Sequence, residues 1–375
     1  MSGAENSPNN SLRGGRTDDC LTCPPASANL HLRTFFCMRA AFCFVLGLIS
    51  AGCLPAQTSS FTGPVEAFSF DAPTRSVRPV IGFPGAASFG PALLESVDFA
   101  SVAPHQNYGI VFQGGKYVFV SGLGLNTGSK IVSVAIAEVT GRADGIVWSG
   151  NGSLAILYSR AQGWFQTISG LPGAAAAGAL VDVSSLGGEF SAVAVDTPGK
   201  QIVVAVGGEN GAVYQATNGQ FTRLVSMAKP VSLSFSNDGQ TLYALDAATL
   251  QVTAASLGGH GFQTLALPGI ANPVAIQSLI DSQNRQLLYV ACGSDRLLRI
   301  LDVSSQQIVM DAPLDFQPSS LDPFGSSSFV LAARSQSANP LWLFTSTPQP
   351  AAYFVPAVQL RHPDRRGAAV GGRTR

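Results

Sequence analysis

Nucleophilic catalysis needs a Ser or Cys beside a base and an orienting acid, and this chain offers few bases. Away from its two ends the histidines are His105 and His260. His105 falls in an expected inter-strand turn, and His260 in the loop Gly258-Gly259-His260-Gly261. No G-x-S-x-G elbow and no H-x-H or H-E-x-x-H spacing accompanies them, so no catalytic residue and no metal ligand is assigned. Both histidines stay as candidates for ligand contact at the mouth of a channel. Trp164 is a third candidate, because an exposed indole stacks on sugar. The bland reading is that Trp148, Trp164 and Trp342 all lie on strand patterns and fill a core.

Glycosidase chemistry uses two carboxylates placed across a cleft. Asp196, Asp238, Asp281 and Asp322 recur instead at or beside a repeated hairpin turn, where an Asp bonds backbone N–H groups two residues on. The S-x-D-x-G-x-T-W box of sialidase-like chains has no convincing copy. Residues 122–128, GLGLNTG, are glycine-rich but lack the Lys-Ser/Thr of a phosphate loop and join two strand patterns. They read as a hairpin, and no cofactor is assigned.

The elements that must position these residues repeat. The clearest unit begins at Val231, VSLSFSNDGQTLYALDAATLQVTAASL, with an alternating strand, an Asn-Asp-Gly turn and further strands. Related units turn at Asn151-Gly152, Pro198-Gly199, Gln283-Asn284 and Phe324-Gly325, and a weaker one near Gln106-Asn107. Anchors at Asn107, Asn151, Gly199, Gly239, Asn284 and Gly325 are spaced 44, 48, 40, 45 and 41 residues apart. Four short strands per unit at this period predict an all-β fold, a β-propeller of four-stranded blades. Residues 65–70 and 77–82 form an N-terminal strand pair that either closes the last blade or makes most of another. Seven blades are favoured on the strand count, with six as the alternative. The longest spacing contains residues 171–180, LPGAAAAGAL, where Pro and Gly flank four alanines; an enlarged inter-strand loop is expected.

The SNDGQTLYAL stretch and its relatives resemble the YVTN-type repeats of bacterial surface and periplasmic β-propellers. The likeness covers about 260 residues in degenerate form. It describes a hairpin and not a site, and it implies a binding or structural module. The Trp-Asp dipeptide of the WD40 class is missing.

Composition agrees with short strands. Charged residues make up 12% of the chain, with 40 Gly and 23 Pro, which suits turns better than helical bundles. Between Thr58 and Leu360 there are 13 Lys and Arg against 18 Asp and Glu, a net of −5. A mildly acidic body argues against nucleic acid as partner. The compensating arginines lie outside it, several of them in the basic segment 358–375, which reads as a disordered tail.

Residues 38–56 have the layout of a secretory signal: Arg39, then an apolar stretch to Ile49, then small residues to Ala56. The apolar stretch is too short to span a bilayer, so no membrane span is expected. Residues 1–37 are polar and read as disordered, or as sequence upstream of a true start at Met38. Lipidation at Cys53 is a rival ending, since Ala51-Gly52-Cys53 resembles a lipoprotein box. Cys20 and Cys23 have no second pair, and after cleavage Cys292 alone remains, read as a buried strand residue.

The reading is thus a signal peptide at 38–56, one propeller domain at 61–357, and a secreted or periplasmic location. The favoured role is a non-enzymatic binding or scaffold module of the cell envelope or exterior, contacting an unknown protein, peptide or glycan through loops at one face. The alternative is a secreted polysaccharide hydrolase or lyase on the same scaffold. Export has a direct check: mass spectrometry should place the mature N-terminus just after Ala56, and a protein beginning at Met1 or Ser2 overturns it.

Overall fold

The computed structural model describes residues 63–124, 130–258, 261–325, 328–333, 338–346 and 350–358. The leader, Cys53, His260 and the basic tail lie outside them. Seven consecutive chain segments each fold into one antiparallel sheet. Blade one is β1 (Val65–Asp71), β2 (Ser76–Ile81) and β3 (Ser88–Phe89). Blade two is β4 (Phe99–Val102), β5 (Tyr108–Gln113), β6 (Lys116–Ser121) and β7 (Val132–Ala135). Blade three is β8 (Gly145–Trp148), β9 (Ala155–Ser159), β10 (Trp164–Ser169) and β11 (Ala176–Asp182). Blade four is β12 (Glu189–Val195), β13 (Ile202–Gly207), β14 (Ala212–Thr217) and β15 (Gln220–Ser226). Blade five is β16 (Pro230–Phe235), β17 (Thr241–Asp246), β18 (Gln251–Ser256) and β19 (Phe262–Ala266). Blade six is β20 (Pro273–Ile280), β21 (Gln286–Cys292), β22 (Leu297–Asp302) and β23 (Gln307–Pro313). Blade seven is β24 (Asp322–Phe324), β25 (Ser328–Ala332), β26 (Leu341–Thr345) and β27 (Ala351–Val355). The fold is a seven-bladed propeller, and no described helix is long and apolar enough to cross a membrane.

Strand alternation explains why the ring forms. On β17, Leu242 and Ala244 pack towards blade four while Tyr243 and Leu245 pack towards blade six. On β21, Leu288, Val290 and Cys292 face blade five while Leu287, Tyr289 and Ala291 face blade seven. A strand buried on both faces reads as a continuous apolar run instead of an alternating one. Cys292 is fully buried there, and desolvation pushes its thiol up to about 12, so it is an inert core residue.

The predicted turns form. Gly152, Gly199, Gly239, Asn284 and Gly325 all take positive φ, the conformation that Gly and Asn tolerate. Blade two differs. Its left-handed residue is His105 (φ 60), after Pro104, and the Gln106 N–H bonds the Ala103 carbonyl, a type II turn with Pro at its first corner.

Of the two readings of the strand pair 65–70 and 77–82, the second holds: it makes most of a blade of its own, followed by the short third strand β3. The chain runs on past Leu93, whose N–H bonds the Val77 carbonyl, directly into β4. One expectation changes: the alanine-rich segment is not an enlarged loop. Gly170 to Ala174 make a tight turn, and the chain from Ala176 becomes the outer strand β11, held where Gln166 bonds the Gly178 carbonyl at 2.8 Å.

Among the described residues no strand is exchanged to close the ring. The seam between blades seven and one is side chains: Val80 and Ala87 against Phe324, Leu343, Tyr353 and Val355. Beside them the Ser328 and Tyr353 hydroxyls both donate to Glu66 Oε1 at 2.5 Å. Burial and the carboxylate both raise the Tyr353 phenol pKa, so it stays a donor. Glu66→Ala is expected to cost about 1–3 kcal/mol in urea unfolding, because it strands two hydroxyls at the seam. A double-mutant cycle with Tyr353→Phe should show coupling; additive losses would mean that Glu66 does not clamp the seam.

Candidate functional site

The closing seam opens into a cavity of about 670 Å³ at the ring face that carries the first hairpin turns. Glu66 and Phe68 from β1, His105, Gln106 and Asn107 from the β4–β5 turn, and Pro323 from β24 wall it. Blades one, two and seven therefore share it. The type II turn holds His105 at the rim with its imidazole exposed. Non-glycine residues rarely hold this backbone conformation, with His among those that tolerate it best.

One of the three ligand candidates from the sequence is thus at the cavity. Trp164 is elsewhere: it is 6% exposed, packed between blades two and three, and its indole N–H bonds Gln162 Oε1 at 2.7 Å. The inter-blade core takes up that indole instead of leaving it free for a sugar. His260 lies outside the described residues. Trp148 donates to Ser101 Oγ at 2.9 Å, and Trp342 stacks on Phe316 at 4.2 Å between centroids.

The cavity carries one carboxylate, Glu66, whose Oε1 is committed to the seam and whose buried Oε2 has no hydrogen-bond partner. Among the described residues no group of three His, Cys, Asp or Glu side chains is placed to hold a metal ion.

The repeated acids divide. Asp196 accepts the Lys200 and Gln201 N–H groups at 2.6 and 3.0 Å, and Asp238 and Asp281 cap their turns in the same way. Bonds from Ser236 and the Gln240 N–H hold the Asp238 carboxyl below its ordinary value. Asp322 does not do this. It is an exposed residue that pairs with Val330 inside β24, three residues before the turn at Gly325. Desolvation raises the pKa of its carboxyl. The turn register matched, but Asp322 is the first residue of the short strand β24 and not part of the turn.

Tyr158, on β9, was not singled out by sequence. Its hydroxyl lies 2.4 Å from where a Cβ on Gly145 would stand, so the glycine lets the ring cross inner strand β8. Burial raises its pKa, and Asp322 and Asp144 raise it further against the opposing charge of Arg160. On the opposite ring face Asp144, Arg160, Glu189 and Phe190 line a second cavity of about 710 Å³.

No family model and no curated protein matches the sequence, so the YVTN resemblance rests on the hairpin motif alone. Among solved structures, the chain is similar to one in a nidogen/laminin complex, with a TM-score of 0.44 and 14% identity, covering 67% of this chain and 92% of that one. It is also similar to hydrazine synthase of Kuenenia stuttgartiensis, with a TM-score of 0.42 and 12% identity, covering 62% and 70%. Both likenesses are distant, and the propeller assignment stands on the sheets themselves.

Asp322 links proton uptake to stability. A carboxyl whose pKa is raised by folding contributes most below its unfolded pKa, and that contribution is lost as pH rises through the folded value. Asp322→Asn should therefore match the wild type in acid and melt higher than it at neutral pH. Parallel melting curves across the pH range would refute the desolvation reading.

Proposed function

We propose that this protein is an exported binding or scaffold module of the cell envelope or exterior, which contacts a protein, peptide or glycan through the loops at one mouth of the propeller. The observation that supports it is the cavity at the closing seam. It is concave, shared by three blades, mostly apolar, and rimmed by a few polar side chains on a strained turn, which is the usual make-up of a recognition site. Its single carboxylate already bonds two hydroxyls across the seam, which suits recognition better than acid–base work.

The secretory layout of residues 38–56 supports export, and the hairpin likeness to periplasmic and surface propellers agrees with it.

Screening the purified protein against glycan, polysaccharide and peptide panels, for both binding and turnover, tests the reading. Asn tolerates the left-handed φ of His105, so His105→Asn combined with Gln106→Ala should weaken a detected ligand about tenfold while leaving Tm unchanged. Unaltered binding would move the site elsewhere. Polysaccharide turnover that disappears in Glu66→Gln or Asp322→Asn would replace the binder with an enzyme.

A further inference from the structure

β1 runs against the first strands of the blades on either side. β4 and β24 open blades two and seven, and both end at the mouth cavity, with Val102 and Phe324 in its wall. β1 begins there, with Val65 and Glu66, and runs towards the start of β4. At that end the Phe70 and Phe99 rings meet at 6.3 Å between centroids, and Arg75 pairs with Asp98. The turn after β1 also copies a later one. Residues 71–77, DAPTRSV, match residues 246–252, DAATLQV, which join the second and third strands of blade five. Arg75 and Leu250 hold the same left-handed place in it, with φ 49 and 55. β1, β2 and β3 are therefore the second, third and fourth strands of a blade. Among the described residues the place of its first strand, between β24 and β4, is open.

That place has hydrogen bonds to offer. The Val77 carbonyl accepts the Leu93 N–H at 2.9 Å, and the Val77 N–H bonds the Leu94 carbonyl at 3.0 Å. The Pro79 carbonyl accepts the Gly90 N–H at 2.8 Å. Val77 and Pro79 thus turn their backbone away from β1, where their partners are Phe70 and Phe68. In an antiparallel ladder the two residues of such a pair point their N–H and C=O groups in opposite directions. Those of Phe68 and Phe70 therefore face the open place, and an unpaired strand edge is a template for an added strand. The cavity of about 670 Å³ lies in front of it, with Phe68 in its wall beside the ends of both neighbouring first strands. A short segment is enough, since β4 and β8 are first strands of four residues.

Glu66 sets the charge of the guest. Its buried Oε2 has no hydrogen-bond partner, and the residues lining the cavity include no Lys or Arg. A cationic side chain on the added strand satisfies that oxygen with a charge-assisted bond.

We propose that the mouth cavity is a strand-docking site: an extended segment of a partner polypeptide pairs with the inner edge of β1 and sets a Lys or Arg against Glu66. This rests on the reading of the cavity as a recognition site and names what it recognises.

The probes are acetylated, amidated hexapeptides of alternating Thr and Val, with one Lys moved through every position in turn. Calorimetry on the full chain should find at least one that binds, and that binds about tenfold more weakly with Glu in place of its Lys. A strand paired along one edge uses alternate amides, so N-methylating one alternate set should abolish binding and N-methylating the other should spare it. Hydrogen exchange should show the Phe68 and Phe70 amides fast in the free protein and about tenfold slower, or more, with peptide bound. Glu66→Gln, shown to be folded by its melting curve, should remove the preference for Lys over Glu. Binding by no hexapeptide, or equal loss from both methylated sets, would overturn the proposal. So would Phe68 and Phe70 amides as slow in the free protein as that of Ser69, which faces β2, because the chain would then fill the place itself. A glycan that binds while those two amides stay fast would overturn strand docking and leave the mouth a recognition site. Failure of glycan and peptide panels alike would remove both.

Discussion

Every blade in this ring is a thin sheet with two apolar faces, and neither face can be buried by the blade itself. That constraint decides the architecture. Successive residues of the middle strands belong to different cores: Leu242 and Tyr243 are chain neighbours, yet one faces blade four and the other blade six. Seven seams hold seven apolar clusters, one between each pair of neighbouring blades. Remove one seam and two blade faces meet water. The ring is cooperative for that reason, and its last seam is the one most exposed to failure.

Six of the seams join consecutive segments, so their contacts are modest in sequence separation. The seventh joins residues 262 and 287 positions apart, Glu66 with Ser328 and Glu66 with Tyr353. Closing so long a loop carries an entropic cost, and among the described residues no shared strand offsets it with ladder hydrogen bonds. The apolar contacts of Val80, Leu343 and Val355 fill the seam, and the Glu66 clamp supplies register. A carboxylate accepting two hydroxyls fixes orientation in a way that aliphatic contacts do not.

Repeat-borne features were legible in the sequence because each depends on a few adjacent residues. The Asn-Asp-Gly turn needs positive φ, and Gly239, Gly199 and Asn284 provide it locally. The same logic misplaced the turn of blade two at Asn107, because Pro104 sets up a type II turn in which His105 bears the unusual φ. It also absorbed Asp322 into the turn-capping series with Asp196, Asp238 and Asp281. Those acids share a register, but Asp322 is the first residue of a three-residue strand and pairs with Val330 instead of capping the turn. Tyr158 and Glu66 carried no local signal at all. What makes Tyr158 notable is a missing Cβ thirteen positions earlier at Gly145, and what makes Glu66 notable is a pair of hydroxyls at the other end of the chain.

The mouth cavity and the closing seam are built from the same strands, and this ties recognition to stability. β1 and β24 wall the cavity, and they are also the inner strands of the two blades that meet last. A ligand that touches both walls binds the closed ring and not the open one, so by mass action it stabilises the seam by as much as the seam favours the ligand. The left-handed His105 turn stands on the third wall, from blade two, where its strain does not weaken the closure. Rigid closure on two sides and a strained, exposed turn on the third is an arrangement in which the rim can change its residues while the ring keeps its geometry.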